Sequence, residues 1–99
     1  MLFAIFGHDA PRSLDMRRAS REAHLARVRQ LQAQGRLVIA GPHPTIPTAD
    51  PGDAGYTGSL IIAEFADLET ATAWAQQDPY VAAGAWQAVD VRPFVQVLP

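Results

Sequence analysis

The run Leu2-Phe3-Ala4-Ile5-Phe6, closed by Gly7, decides the architecture of this chain. Five apolar residues in a row, bounded by a turn residue, read as a strand. A continuous rather than alternating run marks a strand covered on both faces, and so a central one. Turn signals follow in His8 to Ser13. Leu14 to Gln34 then lacks any Gly or Pro and is rich in the helix formers Ala, Arg, Leu and Gln, with Gly35 as the stop. Arg36 to Ala40 reads as a second strand ending at Gly41-Pro42, and Ser59 to Phe65 as a third, again with a continuous apolar run in Leu60-Ile61-Ile62-Ala63. The polar segment His43 to Gly58 between them reads as a long loop with turns at Asp50-Pro51-Gly52 and Gly55-Tyr56-Thr57-Gly58, and long loops in compact domains often serve as lids. Asp67 is placed as the N-cap of a helix from Leu68 to about Gln77, whose apolar stripe is Leu68, Ala71, Trp74 and Ala75. Asp78-Pro79 ends it, and Trp86 to about Val97 forms the last strand, with Pro93 signalling an edge or a break.

The order β-α-β-β-α-β is the split βαβ pattern of an α+β, ferredoxin-like domain. Two right-handed crossovers place both helices on one face of a four-stranded antiparallel sheet. The other face carries Phe, Ile, Leu and Val side chains, which are costly to leave in water, so a second copy is expected to cover it and form a sheet-to-sheet homodimer, a dimeric α/β barrel. The alternative is a monomer with a polar outer face. Ninety-nine residues, 48% of them hydrophobic, suit a single domain over residues 1–99.

Composition removes several chemistries. There is no cysteine, hence no disulfide, thiolate nucleophile or sulfur-ligated zinc. All eight basic residues are arginines, which excludes a Schiff-base lysine. The net charge of −2 argues against nucleic acid as a partner. No run approaches the ~20 apolar residues of a membrane span, and Met1 to Gly7 runs straight into folded sequence rather than a signal peptide, so a cytoplasmic protein without membrane association is expected.

At ~100° of rotation per residue, Leu14, Leu25, Val28 and Leu31 define the sheet-facing stripe of the first helix, and Arg17, Arg21 and His24 fall in the same sector. Burying such groups unpartnered costs several kcal/mol, so they line a wet cavity or pair with acids. The plainer alternative has the arginines reaching the edge and His24 satisfied in the core. Asp78 is the acid to set against His24: both lie ~15 Å along parallel helices that start from one sheet edge. Asp-Pro as a simple helix stop is the other reading. A paired carboxylate would fix the imidazole tautomer and make His24 a general acid or base near neutral pH. Arg17 or Arg21 would hold an anionic substrate through paired guanidinium hydrogen bonds, and Tyr80 is close enough in sequence to line the same pocket. His8 and His43, read as loop residues, would need to converge with His24 to bind a metal, and no metal motif is present. Ser13, Ser20 and Ser59 lack a nucleophile elbow, and the glycines form no phosphate loop.

Taken together, Arg21-Glu22-Ala23-His24-Leu25, Gly35-Arg36-Leu37 leading to Ala40-Gly41-Pro42, Asp50-Pro51-Gly52 through Ser59, Trp74, Asp78-Pro79-Tyr80-Val81 with Ala83-Gly84, and Arg92-Pro93-Phe94 make the chain resemble the YciI-like, or YCII-related, family from end to end. The resemblance implies a ferredoxin-like fold dimerising through its sheets, as a homodimer or higher homo-oligomer, and an active site with a histidine–aspartate pair at His24 and Asp78. It also implies kinship in fold with muconolactone isomerases and small cofactor-free monooxygenases, and a dehydrochlorinase acting on a chlorinated hydroxyhydroquinone is among the family's members. The leading expectation is a cofactor-independent lyase or isomerase acting on a small anionic metabolite, with no cofactor. Its rivals are a non-catalytic ligand-binding or scaffold dimer and a cofactor-free monooxygenase, because fold likeness does not choose a reaction.

Overall fold

The computed structural model describes all residues from Met1 to Pro99. Its elements are β1 (Leu2–Asp9), α1 (Leu14–Ala33), β2 (Leu37–Pro44), a 3₁₀ turn (Gly52–Ala54), β3 (Tyr56–Glu64), α2 (Leu68–Gln76), a one-turn α3 (Pro79–Ala82) and β4 (Trp86–Phe94). The strands form one antiparallel sheet in the order β2-β3-β1-β4, the ferredoxin-like arrangement, with β1 and β3 central. Ile5 stands opposite Ile61 on one side and Val91 on the other, and Ile61 in turn opposite Ala40. The core forms where the helix-facing residues Phe3, Ile5, Ile61 and Ala63 meet Val28 and Leu31 of α1 and Ala71 and Ala75 of α2.

The helix ends are set by local chemistry. At the end of α1, Gly35 takes φ 70°, Arg36 N–H donates to the Leu31 carbonyl at 2.9 Å and Gly35 N–H to that of Gln32 at 3.0 Å. That reversed pair of bonds is the glycine-terminated motif that satisfies the last carbonyls. Asp67 caps α2 by accepting from Thr70 N–H at 2.7 Å. Ser13 gives α1 no side-chain cap, because its hydroxyl is spent on Asp9.

The polar segment is shorter than the sequence suggests. Pro42 pairs with Ser59, His43 with Gly58 and Pro44 with Tyr56, and Thr45 N–H donates to the Gly55 carbonyl at 2.9 Å, so the connection shrinks to residues 45–55. Prolines are tolerated there because β2 is an edge strand, where a missing N–H need not break the ladder. His8 and His43 are consequently strand residues and not loop residues. They flank Gly58 on the face away from the helices, where His8 Nε2 lies 2.8 Å from Asp90 Oδ2. The same face carries Phe6, Leu60 and Ile62, all partly buried, and Ile39, which is 56% exposed beside a register shift at Val38.

Candidate active site

The site lies between α1 and the sheet, at the end where the helix stripe changes from aliphatic to cationic. Val28 and Leu31 fill the core, whereas one and three turns before Val28 the same face presents His24 and Arg17, both buried. Asp78 reaches His24 because the chain breaks after α2. Pro79 occupies the first position of α3 and holds Asp78 extended (φ −63°, ψ 135°), which makes it the N-cap of the new turn: Oδ1 accepts from Tyr80 N–H at 2.9 Å. The carboxylate is therefore placed favourably at a helix start, and not only at a helix end as the sequence implied. His24 Nδ1 sits 2.8 Å from Asp78 Oδ2 and 3.0 Å from Oδ1. Asp78 is fully buried, and Arg27 brings Nη1 to within 3.6 Å of Oδ2.

Aromatic rings fix the imidazole plane. Tyr80 stacks on His24 with centroids 4.2 Å apart and planes 12° from parallel, and Trp86 meets both rings edge-on at 5.5 Å. Trp86 fits because Gly7 has no side chain, for a Cβ there would lie 2.2 Å from Trp86 Cε2. With Nδ1 committed to Asp78, Nε2 has no partner in the chain and is not sealed from solvent. His24 helps to line a cavity of about 510 Å³.

Arg17 is held more tightly than an anion-binding role alone requires. Its Nε and Nη2 grip the two Asp9 oxygens at 2.6 and 2.9 Å, Nη2 also donates to Ser59 Oγ (2.8 Å) and the Gly58 carbonyl (3.0 Å), and the guanidinium rests over the Tyr56 and Tyr80 rings. Nε and Nη2 are thus spent within the fold, so Arg17 does not present the cavity with a free two-pronged fork. Arg21 points outward, with its side chain 63% exposed, and stands at the cavity rim with Arg18, while Asp50 is the acid on the opposite wall. Tyr80 also lines the cavity. Burial pushes its phenol above the ordinary range although Arg17 and Arg21 pull the other way, so at neutral pH it is a hydrogen-bond donor.

The structure thus brings together His24, Asp78, Tyr80 and Arg17, with Arg21 at the mouth. The histidines His8 and His43 lie on the opposite face of the sheet, and nowhere do three or more His, Asp or Glu side chains gather as a metal site would need. Four participants escaped the sequence reading. Asp9 continues the helix-facing alternation Phe3, Ile5, Gly7 beyond the end of the apolar run, a period-two signal that was available. Arg27 follows His24 by three residues on the same helix, also visible in the spacing. Tyr56 lies in what reads as a loop and Ser59 opens what reads as the third strand, and only the pairing of β2 with β3 reveals their direction.

Comparison with known proteins gives the family and supports the fold. The model of the YCII-related domain matches residues 1–95. "Protein YciI" of Escherichia coli O6:H1 is 53% identical over 97 residues, covering 98% of this chain and 99% of that one. An uncharacterized protein of Haemophilus influenzae is 52% identical over the same length, with the same coverage. Among solved structures, the 5-chloro-2-hydroxyhydroquinone dehydrochlorinase TftG of Burkholderia phenoliruptrix, in complex with 2,5-dihydroxybenzoquinone, superposes with a TM-score of 0.82 at 32% identity, over 96% of this chain and 94% of that one. No helix is long and apolar enough to cross a membrane. The chain belongs to the family of the YCII-related domain.

Proposed function

We propose that this protein is a cofactor-independent lyase or isomerase in which His24 moves a proton on a small, anionic ring compound and Asp78 orients it. One observation carries the reading: the imidazole gives Nδ1–H to a fully buried carboxylate and keeps Nε2 without a partner in the chain, in a residue that lines the cavity. That arrangement fixes the tautomer with the basic nitrogen outward and stabilises the imidazolium once it takes a proton. In an elimination from such a ring, the halogen-bearing carbon first takes a proton to give the keto tautomer; Nε2 would then take a proton from a ring O–H, the freed electron pair would pass through the ring and expel the halide, and the imidazolium would return its proton to solvent or to the next substrate. In an isomerisation the same proton would return at a different carbon.

The cavity suits such a substrate. Its volume falls within the ~300–1,000 Å³ of small-molecule sites. Its walls combine Leu25, Val28 and Ile61 with the Tyr56 and Tyr80 rings, and its rim carries Arg18 and Arg21. The likeness to a dehydrochlorinase solved with a dihydroxyquinone supports a hydroxylated, halogen-bearing ring as the first class to test. We also propose that the half-apolar outer sheet face, with Phe6, Leu60, Ile62 and Ile39, pairs with a second copy.

The test is chloride release from a panel of chlorinated hydroxyhydroquinones by the wild-type protein and by His24→Asn. Asparagine keeps a donor near the Nδ1 position for Asp78 but has no base at the place of Nε2. Turnover should fall about 10²–10⁴-fold, the usual worth of a positioned general base. Turnover within tenfold of wild type would remove His24 from the chemistry, and binding without turnover across the panel would leave the cavity a ligand-binding site.

A further inference from the structure

Behind the dyad, on the side away from the cavity, stands a cation that the proposed chemistry does not touch. Arg27 shares α1 with His24, three residues on. Its guanidinium lies 4.2 Å from the Trp74 ring centroid, and Nη2 donates to the Trp74 carbonyl at 2.6 Å. That carbonyl belongs to the last turn of α2, where backbone acceptors have no helical partner and a cation is favourable. So gripped, Arg27 has its position dictated by α2. Its Nη1 is buried, has no hydrogen-bond partner and faces Asp78 Oδ2 at 3.6 Å, beyond a hydrogen bond but well within ion-pair range.

We propose that Arg27 is a positioning residue of the dyad, holding Asp78 as a carboxylate turned toward His24 and restraining, by its own charge, the basicity of the imidazole. The role rests on the dyad reading above. Asp78 is flanked by a cation on one side and an imidazole on the other, so protonating His24 places two positive groups on one carboxylate. Arg27 therefore opposes imidazolium formation, while Asp78 favours it. The guanidinium survives its surroundings: burial lowers its pKa and Asp78 raises it again, and arginine stays charged at neutral pH. The other charged or titratable groups around the pair are Tyr80 of α3, stacked on His24, and, lining the cavity beside it, Arg17, Arg18 and Arg21 of α1, Asp50 of the connection and Tyr56 of β3. Asp9 of β1 is already neutralised by Arg17. Of the arginines, Arg27 alone contacts Asp78.

The experiment follows the His24 ring by NMR as a function of pH in the free protein, its signals assigned by their loss in His24→Asn. In Arg27→Gln the titration midpoint should rise by about one pH unit, because a like charge next to the imidazolium has gone. The acid limb of the pH–rate profile should move up by the same amount. Arg27→Met, which keeps an apolar stem over Trp74, should give the same shift, and Arg27→Lys should titrate within about 0.3 unit of wild type. If the neutral variants fold and His24 titrates as in wild type, the proposal is wrong and Arg27 only caps α2. If neither folds, the lysine variant decides: a midpoint displaced beyond that margin assigns Arg27 a purely structural part. Should His24 respond as expected while His24→Asn keeps full turnover, the electrostatic link stands and the catalytic reading of the dyad fails.

Discussion

Replacing Asp78 by asparagine tests the central geometry with the least change in shape. The carboxylate accepts from His24 Nδ1 and Tyr80 N–H and faces the Arg27 guanidinium, all in a fully buried position. The asparagine oxygen could still cap α3, since Asn and Asp are equally good N-caps, so little should be lost there. The loss falls on the charges. At 3.6 Å and an effective dielectric constant near 20, the Arg27–Asp78 attraction is about 4–5 kcal/mol before the desolvation that the neutral amide no longer incurs. Removing one partner of a buried pair commonly costs about 3–5 kcal/mol. Arg27 keeps some access to water, so Asp78→Asn is expected to destabilise by about 3 kcal/mol. For a chain of this length that is roughly 12–20 °C in Tm. Thermal and urea unfolding measure it, and ¹⁵N spectra report the tautomer of His24, which should become mixed once the anion is gone. A variant within about 0.5 kcal/mol of wild type and with the Nδ1–H tautomer intact would refute the claim that the buried charge holds the pair.

Three further outcomes follow from other parts of the molecule. Gly7→Ala puts a methyl group where the Trp86 ring lies and should destabilise by about 1–3 kcal/mol or more while disturbing His24 and Tyr80; a neutral effect on unfolding would show that Trp86 has room to move. In a Tyr56→Phe variant the alkaline absorbance of tyrosinate reports Tyr80 alone and should appear above the ordinary ~10. A raised phenol favours the fold up to its unfolded value and loses that contribution as pH climbs toward the folded one, so Tyr80→Phe should flatten the alkaline limb of the stability curve and leave neutral stability to packing alone. Ile39→Glu, at a position largely exposed in the single chain, should leave monomer folding nearly unchanged but convert a dimer to a monomer in light scattering, and an unaltered mass would exclude the sheet face from the interface.

Much of the fold was legible because its signals are local. The apolar runs of β1 and β3, the unbroken helical stretch before Gly35 and the Asp67 cap each specify their element without help from elsewhere. The hairpin was not legible, because His43, Pro44, Tyr56 and Thr57 read as loop by composition and become strand only through cross-strand partners. At the site, helix rise placed His24 level with Asp78, but Asp78-Pro79 carries two local meanings, a stop for the helix before it and a cap for the turn after it, and only the first is read from the sequence. Arg17 was visible as a buried cation, whereas its partner Asp9, the last residue of β1, shows only when the period-two alternation is carried past the end of the apolar run.

His24 and Asp78 are separated by 54 positions in the chain, one on each side of the 45–55 connection. The first half, β1-α1-β2, carries the imidazole, and the second, β3 to β4, carries the carboxylate. A chain cut within that connection would yield two fragments, each with half a dyad and neither with a complete sheet. Reassembly through the β1–β3, β2–β3 and β1–β4 ladders would then restore the hydrogen bond and the fold in one event, so the dyad would act as a built-in reporter of fragment complementation.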